Sequence, residues 1–393
     1  MMKKIVLGIS AGFSLLISLI LSLVITGMSG SLSSQQAAMR WSESGGFSQV
    51  SCFFSVNSRM SEEQLLEFGH SIDSALAEAS IVQNAENPSA RLWVDAYSAA
   101  GTLTISTEKA RISSATAIGV GGDFFLFHPM DLLYGSYFSG DSLMQDYCII
   151  DEDAAWQLYG SNNVAGMMVD IGGVPHVIAG VIRREEGRLA EAAGLDSTLV
   201  YVSYQTLEEY GRSNGINHYE VLMPNPITGF ALNYVEENLG NDEQNVEVIE
   251  NTSRFSFLSR LKSVKEFGIR SMNGKAIIYP NWENIARGYE EILSALTLLQ
   301  LLFLLYPIVV GVVIFIIWWR HKSWTVKEVV GHAKDKAERR MEKVRARRKR
   351  EKEEFFIAEY EDAPAKSKKD KAIKKKKKQA WNRNTKRGEE DVL

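Results

Sequence analysis

The residues that could carry out chemistry are few and scattered in this chain of 393 residues. Four histidines lie between two long apolar segments, and they are His70, His128, His176 and His218. None of them belongs to an H-E-x-x-H helix or to a Cys/His spacing of the kind that binds zinc. We therefore interpret each as an ordinary surface or core histidine, and we predict no metal site and no histidine-based catalytic site.

Acidic pairs and glycine-rich motifs give no stronger indication of catalysis. Asp151/Asp153 and Glu236/Glu237 fit helix ends and solvated surfaces better than the general acid and base of an enzyme. The glycines within residues 118–125 match neither a dinucleotide fingerprint nor a P-loop, so they predict a turn. There is no G-x-S-x-G nucleophile elbow. The sequence therefore predicts a non-enzymatic protein with no catalytic residue, cofactor site or ATP hydrolysis of its own.

The two cysteines, Cys52 and Cys148, both fall between the apolar segments. In an oxidising compartment they could form a disulfide. A free cysteine, however, is often only a small buried hydrophobic residue. The sequence leaves both interpretations open.

Two apolar segments frame the chain, at residues 5–25 and 292–319. About 20 apolar residues suffice to cross the ~30 Å hydrocarbon core of a bilayer, so both segments predict transmembrane helices. The first could instead be a cleaved signal peptide, although its apolar stretch is longer than the roughly 7 to 15 residues usual there.

Charge predicts how the chain is oriented in the membrane. Residues 1–4 form a stub with two lysines, and residues 5–319 hold 16 basic and 34 acidic side chains, a net charge of −18. Residues 320–393 hold 26 basic and 14 acidic side chains, a net charge of +12. Because Lys and Arg beside a span stay in the cytoplasm, we predict a plasma-membrane protein with both termini cytoplasmic and an extracytoplasmic central domain.

The first apolar segment carries a pattern of small residues. Gly8 and Gly12 form a small-xxx-small pair, and serines recur at every fourth position at Ser10, Ser14, Ser18 and Ser22. Such a stripe allows a second helix to approach closely and to accept hydroxyl hydrogen bonds in lipid. The alternative is that the serines only moderate the hydrophobicity of the segment.

The central domain, residues 28–291, contains two similar strand-helix-strand units. The first has a strand at residues 49–56, a capping box at Ser61 and Gln64 that begins a helix, and strands at residues 91–97 and 103–106. The second has a strand at residues 218–223, a helix at 226–239 ended by Gly240, and a strand at 246–250. We predict an α+β layer with helices on one face of a sheet.

Between these units, residues 117–182 carry the most distinctive pattern. A strand at residues 147–150 leads to Asp151, which begins a helix that contains Trp156 and ends at Gly160. Two further strands flank Gly172-Gly173, which predicts a hairpin. We expect Trp156 to be a buried core residue of that helix.

These residues, in this order, resemble the periplasmic core domain of MacB-type ABC-transporter permeases. The matching phrases are G-V-x-x-x-F-F, a leucine and glycine before an aromatic-Ser pair, A-x-x-L-[FY]-G, G-x-x-[VI]-x-[IV] and [VI]-x-G-V, at residues 119–125, 133–139, 155–160, 166–171 and 178–181. The resemblance implies a MacB-like extracytoplasmic domain over residues 28–291. It also implies that the strand-helix-strand units form a porter subdomain and that part of residues 182–217 forms a reduced second lobe.

The resemblance implies a function as well. Relatives of this kind couple nucleotide hydrolysis inside the cell to movement of a substrate outside, which implies an ABC ATPase and a second permease-like subunit as partners. After the second span, this sequence continues as a hydrophilic tail without the family's E-R-x-x-E-I-G coupling segment. We therefore expect a permease-like component rather than a self-sufficient transporter. The alternative is a membrane-anchored extracytoplasmic binding or scaffold protein without a transport role.

The basic tail, residues 320–393, has a helix-favouring part at residues 334–359 and a lysine-rich part at 366–378 that we predict to be disordered. A polybasic segment beside a membrane is attracted to anionic lipid by roughly 1 kcal/mol per charge. Nucleic acid is an unlikely partner, since the tail lacks a pattern of base-stacking aromatic residues. A tail that serves only to set the topology is the remaining interpretation.

Overall fold

The computed structural model describes residues 2–42, 45–82, 91–140, 144–242, 244–266, 276–321, 326–361, 375–377 and 379. The described helices are α1 (Met2–Gly30), α2 (Ala37–Trp41), α3 (Glu62–Glu78), α4 (Phe124–Phe127), α5 (Glu152–Tyr159), α6 (Arg188–Ala192), α7 (Tyr204–Tyr210), α8 (Phe230–Leu239), α9 (Phe257–Lys265), α10 (Asn281–His321) and α11 (Val326–Glu361). The described strands are β1 (Phe47–Phe54), β2 (Val94–Ser106), β3 (Arg111–Gly122), β4 (Leu132–Gly135), β5 (Tyr147–Asp151), β6 (Met168–Ile171), β7 (Val174–Ile182), β8 (Leu199–Ser203), β9 (Arg212–Ser213), β10 (His218–Pro224) and β11 (Val246–Glu250).

The chain divides into two compact units, residues 1–311 and residues 312–393. The first unit contains helices α1 to α9, most of α10 and all of the described strands. The second unit contains the end of α10 and the long charged helix α11.

Four strands of the first unit form an antiparallel layer in the order β11-β1-β10-β2. Helix α3 connects β1 to β2, and helix α8 connects β10 to β11, so two strand-helix-strand units interleave. This is the split arrangement of ferredoxin-like folds. The two units predicted from the sequence, and the α+β class, are confirmed.

The predicted helix ends follow local hydrogen bonding. Ser61 Oγ accepts from the Gln64 amide, and Gln64 Oε1 accepts from the Ser61 amide, which completes a capping box at the start of α3. At the start of α5, Asp151 Oδ1 accepts from the Ala154 amide at 2.8 Å. Helix α5 then ends at Gly160, whose φ of 69° is the left-handed conformation that favours glycine.

The other strands close a ring beside this layer. From β2 the pairing runs through β3, β8, β5 and β7 to β6, which pairs back to β2. Because the β2/β3 hairpin is long, one part of it belongs to the antiparallel layer and the other to the ring. Of the ring strands, only β8 lies wholly within residues 182–217, and the assignment of part of that segment to a second lobe stays a prediction.

The β2/β3 hairpin also corrects two sequence predictions. Residues 91–97 and 103–106 do not form two strands, because one strand, β2, runs from Val94 to Ser106 with an irregularity near Leu103. The turn predicted at the glycines of residues 118–125 is also misplaced, since Gly119 and Gly121 lie inside β3 and only its last residue, Gly122, has a left-handed φ, of 63°, before the turn at Asp123. A Cβ at Gly121 would stand 2.0 Å from the Tyr97 ring, so glycine lets Tyr97 pack flat on the strand.

The expectation that Trp156 is a core residue is wrong. Helix α5 forms as predicted, but Trp156 is 58% exposed, whereas Leu158 is 4% exposed. Ala154, Ala155 and Leu158 provide the buried side of this short helix. Helical periodicity indicates which residues share a side, but it does not show which side faces the sheet.

Strand β10 is buried on both faces. Tyr219 and Val221 lie in one hydrophobic core with residues of α3 and α8, and Leu222 lies in a second core with Ala37 and Phe124. Since successive side chains alternate between faces, His218 and Glu220 lie on the side of the second core. The sequence predicted helices on one face only, but α2, α4 and Trp282 cover the other face.

Helices α1 and α10 are both long and apolar enough to cross a membrane. Their contacts use the serines of the predicted stripe: Ser14 Oγ donates to the Phe303 carbonyl at 2.6 Å, and Ser10 Oγ lies 2.7 Å from the Tyr306 hydroxyl. Gly8 and Gly12 lie on an open side, where an added Cβ would meet nothing within 4 Å. The serine part of the stripe therefore mediates the helix contact, and the glycine part does not.

The helix predicted at residues 334–359 lies within α11. Nearly all of the segment 366–378, predicted to be disordered, lies outside the described residues.

Cys52 and Cys148 are free and completely buried, so the possible disulfide is not formed.

Candidate functional site

A buried ionic network joins the sheet to the start of helix α10. Arg254 lies in the loop after β11, and its Nη1 and Nη2 donate to Glu283 Oε2 and Oε1 at 2.6 and 2.8 Å. Its Nε donates to Glu290 Oε1 at 2.6 Å. The two glutamates are seven residues apart, which places them on the same side of α10, two turns from each other. One loop arginine therefore holds two turns of this helix.

A second arginine extends this network. Arg287 Nε donates to Glu283 Oε1, and its Nη2 donates to Glu247 Oε1 on β11, both at 2.7 Å. The Arg287 guanidinium also stacks 3.8 Å from the centre of the Tyr279 ring. We call these five charged residues the Arg254 network: Glu247, Arg254, Glu283, Arg287 and Glu290.

Burial makes the Arg254 network depend on complete pairing. The side chains of Arg254 and Glu283 are 3% and 1% exposed. Burial alone would lower the pKa of Arg254, but Glu283 and Glu290 raise the pKa above its ordinary value. Removal of one partner of a buried ion pair leaves an uncompensated charge in a poorly solvated place. The network is therefore a rigid attachment rather than an adaptable surface contact.

Hydrogen bonds connect the Arg254 network to a second buried group on the sheet. Arg254 Nη1 lies 3.3 Å from both Asn251 Oδ1 and Gln35 Oε1, and Gln35 belongs to the turn that follows α1. Asn251 Nδ2 in turn donates to Ser51 Oγ at 2.6 Å, and Ser51 Oγ donates to Glu220 Oε1. Polar contacts therefore run from the segment after α1 and from the start of α10 to the centre of the sheet.

The second group consists of His128, His218 and Glu220, which we call the His-Glu-His cluster. His218 and Glu220 lie two residues apart on β10, and His128 directly follows α4. His128 Nε2 lies 3.0 Å from Glu220 Oε2, and His218 Nε2 lies 3.5 Å from Glu220 Oε1. All three side chains are buried. The packing of the residue after α4 against β10 therefore brings together residues that are about 90 positions apart in the sequence.

The charge of Glu220 persists despite its burial. Burial alone would raise the pKa of this carboxyl, but His128 and His218 hold its pKa well below the ordinary value. Burial lowers the pKa of His128, with further lowering from His218 and Arg40 and opposition from Glu220. The carboxyl and the imidazole are therefore electrostatically coupled, and the pKa of each lies below its ordinary value.

Trp282, in the first turn of α10, covers the His-Glu-His cluster. Its ring centre lies 4.3 Å from that of His128 and 5.3 Å from that of His218. His128 and Trp282 also line a cavity of about 580 Å³ whose wall includes Asp131, Glu185 and Glu186. The start of α10 thus contacts both the Arg254 network and the His-Glu-His cluster.

The other residues considered in the sequence lie apart from this site. His70 is exposed on α3, and the ring nitrogens of His176 lie near the Val174 carbonyl and the Thr206 hydroxyl. Asp151 and Asp153 both pair with Arg184, and Glu236 and Glu237 are exposed on α8. The histidines are therefore only partly scattered: two converge, and two do not. That none of the four is catalytic or metal-binding stays a prediction from the sequence alone, and it did not take into account that His128 and His218 converge.

A family model described as the MacB-like periplasmic core domain matches residues 5–232 of the chain. That match covers more than half of the sequence. The chain belongs to the MacB-like periplasmic core domain family. The resemblance inferred from residues 117–182 is confirmed, and the MacB-like domain between the two apolar helices is an extracytoplasmic domain.

Two curated relatives match part of the chain. Both are macrolide export ATP-binding/permease proteins MacB: the Agrobacterium fabrum protein is 27% identical over 119 residues, and the Chromobacterium violaceum protein is 26% identical over 129 residues. These matches cover 29% and 32% of this chain but 18% and 19% of the relatives. The chain therefore matches less than a fifth of the length of each relative.

Two solved structures are similar to the MacB-like domain. The periplasmic region of MacB from Actinobacillus actinomycetemcomitans is 14% identical, with a TM-score of 0.35, and the match covers 60% of this chain and 97% of that one. The extracellular domain of the ABC-type transporter YknZ from Gram-positive bacteria is 15% identical, with a TM-score of 0.33, and the match covers 51% of this chain and 99% of that one.

Only one of the two parts of the site lies within the residues that match the MacB-like family model. The His-Glu-His cluster lies inside residues 5–232, whereas the Arg254 network, which spans residues 247–290, lies outside that range. Sequence reasoning missed the Arg254 network completely. The available signal was Glu283, Arg287 and Glu290, which share one helical side directly before an apolar segment. Nothing in the sequence, however, indicates that Arg254 is their partner.

Proposed function

We propose that this chain is a non-enzymatic, permease-like membrane component of an ABC transporter, and that its outer domain is coupled mechanically to the second span through the Arg254 network. The observation that carries the proposal is the buried attachment of Arg254 to Glu283 and Glu290 in a chain of the MacB-like family. A helix held by two glutamates cannot tilt or rotate at its outer end without moving the loop that holds it.

The contacts of both apolar helices also support mechanical coupling between the outer domain and the spans. The turn after α1 reaches Arg254 through Gln35, and α1 contacts α10 through Ser10 and Ser14. Movement of one helix would therefore be transmitted to the other and to the sheet. In this proposal the chain transmits force that a separate ABC ATPase supplies, and a second permease-like chain completes the transport pathway.

The proposed orientation places both termini in the cytoplasm. It rests on the net charge of +12 after residue 319 and the net charge of −18 between residues 5 and 319. The exposed basic residues of α11 would then lie on the cytoplasmic side, where anionic lipid attracts them. Nucleic acid is not a partner in this proposal.

The partners are tested by isolation of the chain from its own membranes in mild detergent, with identification of the bound subunits. We expect an ABC ATPase and a second permease-like chain, together with ATP hydrolysis that vanadate inhibits. A matched preparation that lacks the affinity tag controls for non-specific subunits. A chain that purifies without any nucleotide-binding subunit would instead be a membrane-anchored binding or scaffold protein.

A further inference from the structure

We propose that the His-Glu-His cluster is a binding site for a divalent first-row transition metal such as Zn²⁺. This inference goes beyond the transport role and does not depend on it. Two imidazoles and one carboxylate are a ligand set that zinc sites use, with further positions left for water. The same set suits other metals of that row, so the chemistry defines the class of ion rather than one element.

The ligand atoms already stand close to a coordination geometry. One ligand atom from each of His128, His218 and Glu220 lies within 4.8 Å of the other two. The two measured histidine-to-carboxylate separations are 3.0 and 3.5 Å. Zn–N and Zn–O bonds of about 2.0 to 2.2 Å imply ligand separations of roughly 3.3 Å in a tetrahedral site. The 3.0 Å distance ends at Glu220 Oε2 and the 3.5 Å distance at Oε1, so side-chain rotation must bring both imidazoles to one metal ion.

Several polar atoms of the cluster face one another without a well-formed hydrogen bond. Among the described residues, both ring nitrogens of His128, Nε2 of His218 and Oε2 of Glu220 make no hydrogen bond of acceptable geometry. Buried polar atoms without such a bond are costly and require an explanation. A metal ion at this point would satisfy the facing atoms.

The surrounding polar residues orient two of the three ligands. Ser98 Oγ lies 3.3 Å from His218 Nδ1, which leaves Nε2 to face Glu220. Ser51 and Asn251 both donate to Glu220 Oε1, which leaves Oε2 on the side of His128. Metal sites commonly fix their ligands with a second layer of hydrogen bonds in this way.

A cavity with an acidic wall lies beside His128. His128 lines the cavity of about 580 Å³. The wall of that cavity contains Asp131, Asp151, Glu185 and Glu186 against Arg183 and Arg184, which gives it an excess of negative charge. An ion bound beneath Trp282 would join the end of α4 to β10 at the place where α10 begins. Its expected effect is a firmer attachment of α10 to the sheet.

The test uses the full-length chain in detergent, without a histidine tag and freed of metal by a chelator. Isothermal titration with Zn²⁺ should give one bound ion per chain, and Zn²⁺ should raise the melting temperature. Replacement by Co²⁺ should give visible absorption bands of a low-coordinate nitrogen and oxygen site, without thiolate bands. Zinc that binds with no defined stoichiometry, or a melting temperature that Zn²⁺ leaves unchanged, would overturn the proposal.

Single-residue variants test whether the ion binds at the His-Glu-His cluster. His218→Gln and Glu220→Gln should each weaken Zn²⁺ binding at least about tenfold, by analogy with the loss seen when metal-site residues are changed. His70→Gln, on the exposed side of α3, should bind as the unchanged protein does. If the buried variants fail to fold, fluorescence quenching by Co²⁺ tests the location instead. The quenching is compared between the unchanged protein and Trp282→Phe, and the difference reports on Trp282. Equal quenching in the two proteins would contradict a metal ion at this place.

Discussion

Arg254 holds Glu283 through two parallel hydrogen bonds, from Nη1 to Oε2 at 2.6 Å and from Nη2 to Oε1 at 2.8 Å, with both side chains almost fully buried. Planar, bidentate pairing of this kind gives geometric precision as well as energy. It fixes the rotation of the start of α10 relative to the loop after β11.

Loss of the arginine should be far more costly here than at the surface. Arg254→Ala leaves two buried carboxylates without their partner, and we expect it to lower the free energy of unfolding by about 3 to 5 kcal/mol. The matched control is Arg183→Ala, whose ion pair with Asp131 is 59% and 65% exposed, so its cost should stay below about 1 kcal/mol. Chemical unfolding of the full chain in detergent measures both. Equal losses would show that the buried pair has no special role.

Helix α5 provides a second matched comparison. Leu158→Ala removes a buried side chain and should destabilise the chain by about 2 to 5 kcal/mol. Trp156→Ala removes a larger side chain from the exposed side of the same helix and should change stability by only about 0.5 kcal/mol. Thermal melting compares the two variants directly. A larger effect for Trp156→Ala than for Leu158→Ala would mean that α5 packs through its other side.

The contact between the two apolar helices should depend on the serine side of α1. Ser14→Leu removes the hydrogen bond to the Phe303 carbonyl and inserts bulk between the helices, so the melting temperature in detergent should fall. Gly12→Leu adds the same side chain on the open side of α1 and should have little effect. The opposite ranking would mean that the glycine side, and not the serine side, mediates the contact.

The membrane topology can be tested by labelling introduced cysteines, because the two native thiols should not react. Cys52 and Cys148 are buried, and burial raises the pKa of Cys148 to about 12, so both thiols should stay protonated and unreactive at pH 8. A cysteine at Ile227, which is 74% exposed, should react with a membrane-impermeant thiol reagent in intact cells. One at Met341, which is 61% exposed, should react only after the cells are opened. Labelling in the reverse order would contradict the proposed orientation.

Much of the fold was predictable because its signals are local. The capping box at Ser61, the Asp151 cap and the Gly172-Gly173 hairpin each depend on a few neighbouring residues, and all three are present in the structure. Charge and apolar length likewise identify the two long helices without any tertiary information. These features need only short-range geometry or the chemistry of the bilayer.

The errors share one cause, which is that they concern contacts between distant residues. Glycines in β3 look like a turn until Tyr97 and Leu207 are seen to pack against them. Trp156 looks like a core residue until the side of α5 that faces the sheet is known. The His-Glu-His cluster forms because α4 lies against β10, and the sequence separates His128 from His218 too widely to indicate this.

The most direct test of coupling asks whether nucleotide hydrolysis changes the environment at the outer start of α10. In the complex isolated with its ATPase, a cysteine at Ile278, which is 66% exposed, is labelled with an environment-sensitive dye. We expect ATP with vanadate to shift the dye emission in the unchanged chain and in Arg183→Lys. The shift should be lost in Arg254→Lys, which keeps the charge but not the bidentate geometry. An emission that stays constant while the complex hydrolyses ATP, or a shift that persists in Arg254→Lys, would contradict coupling through the Arg254 network.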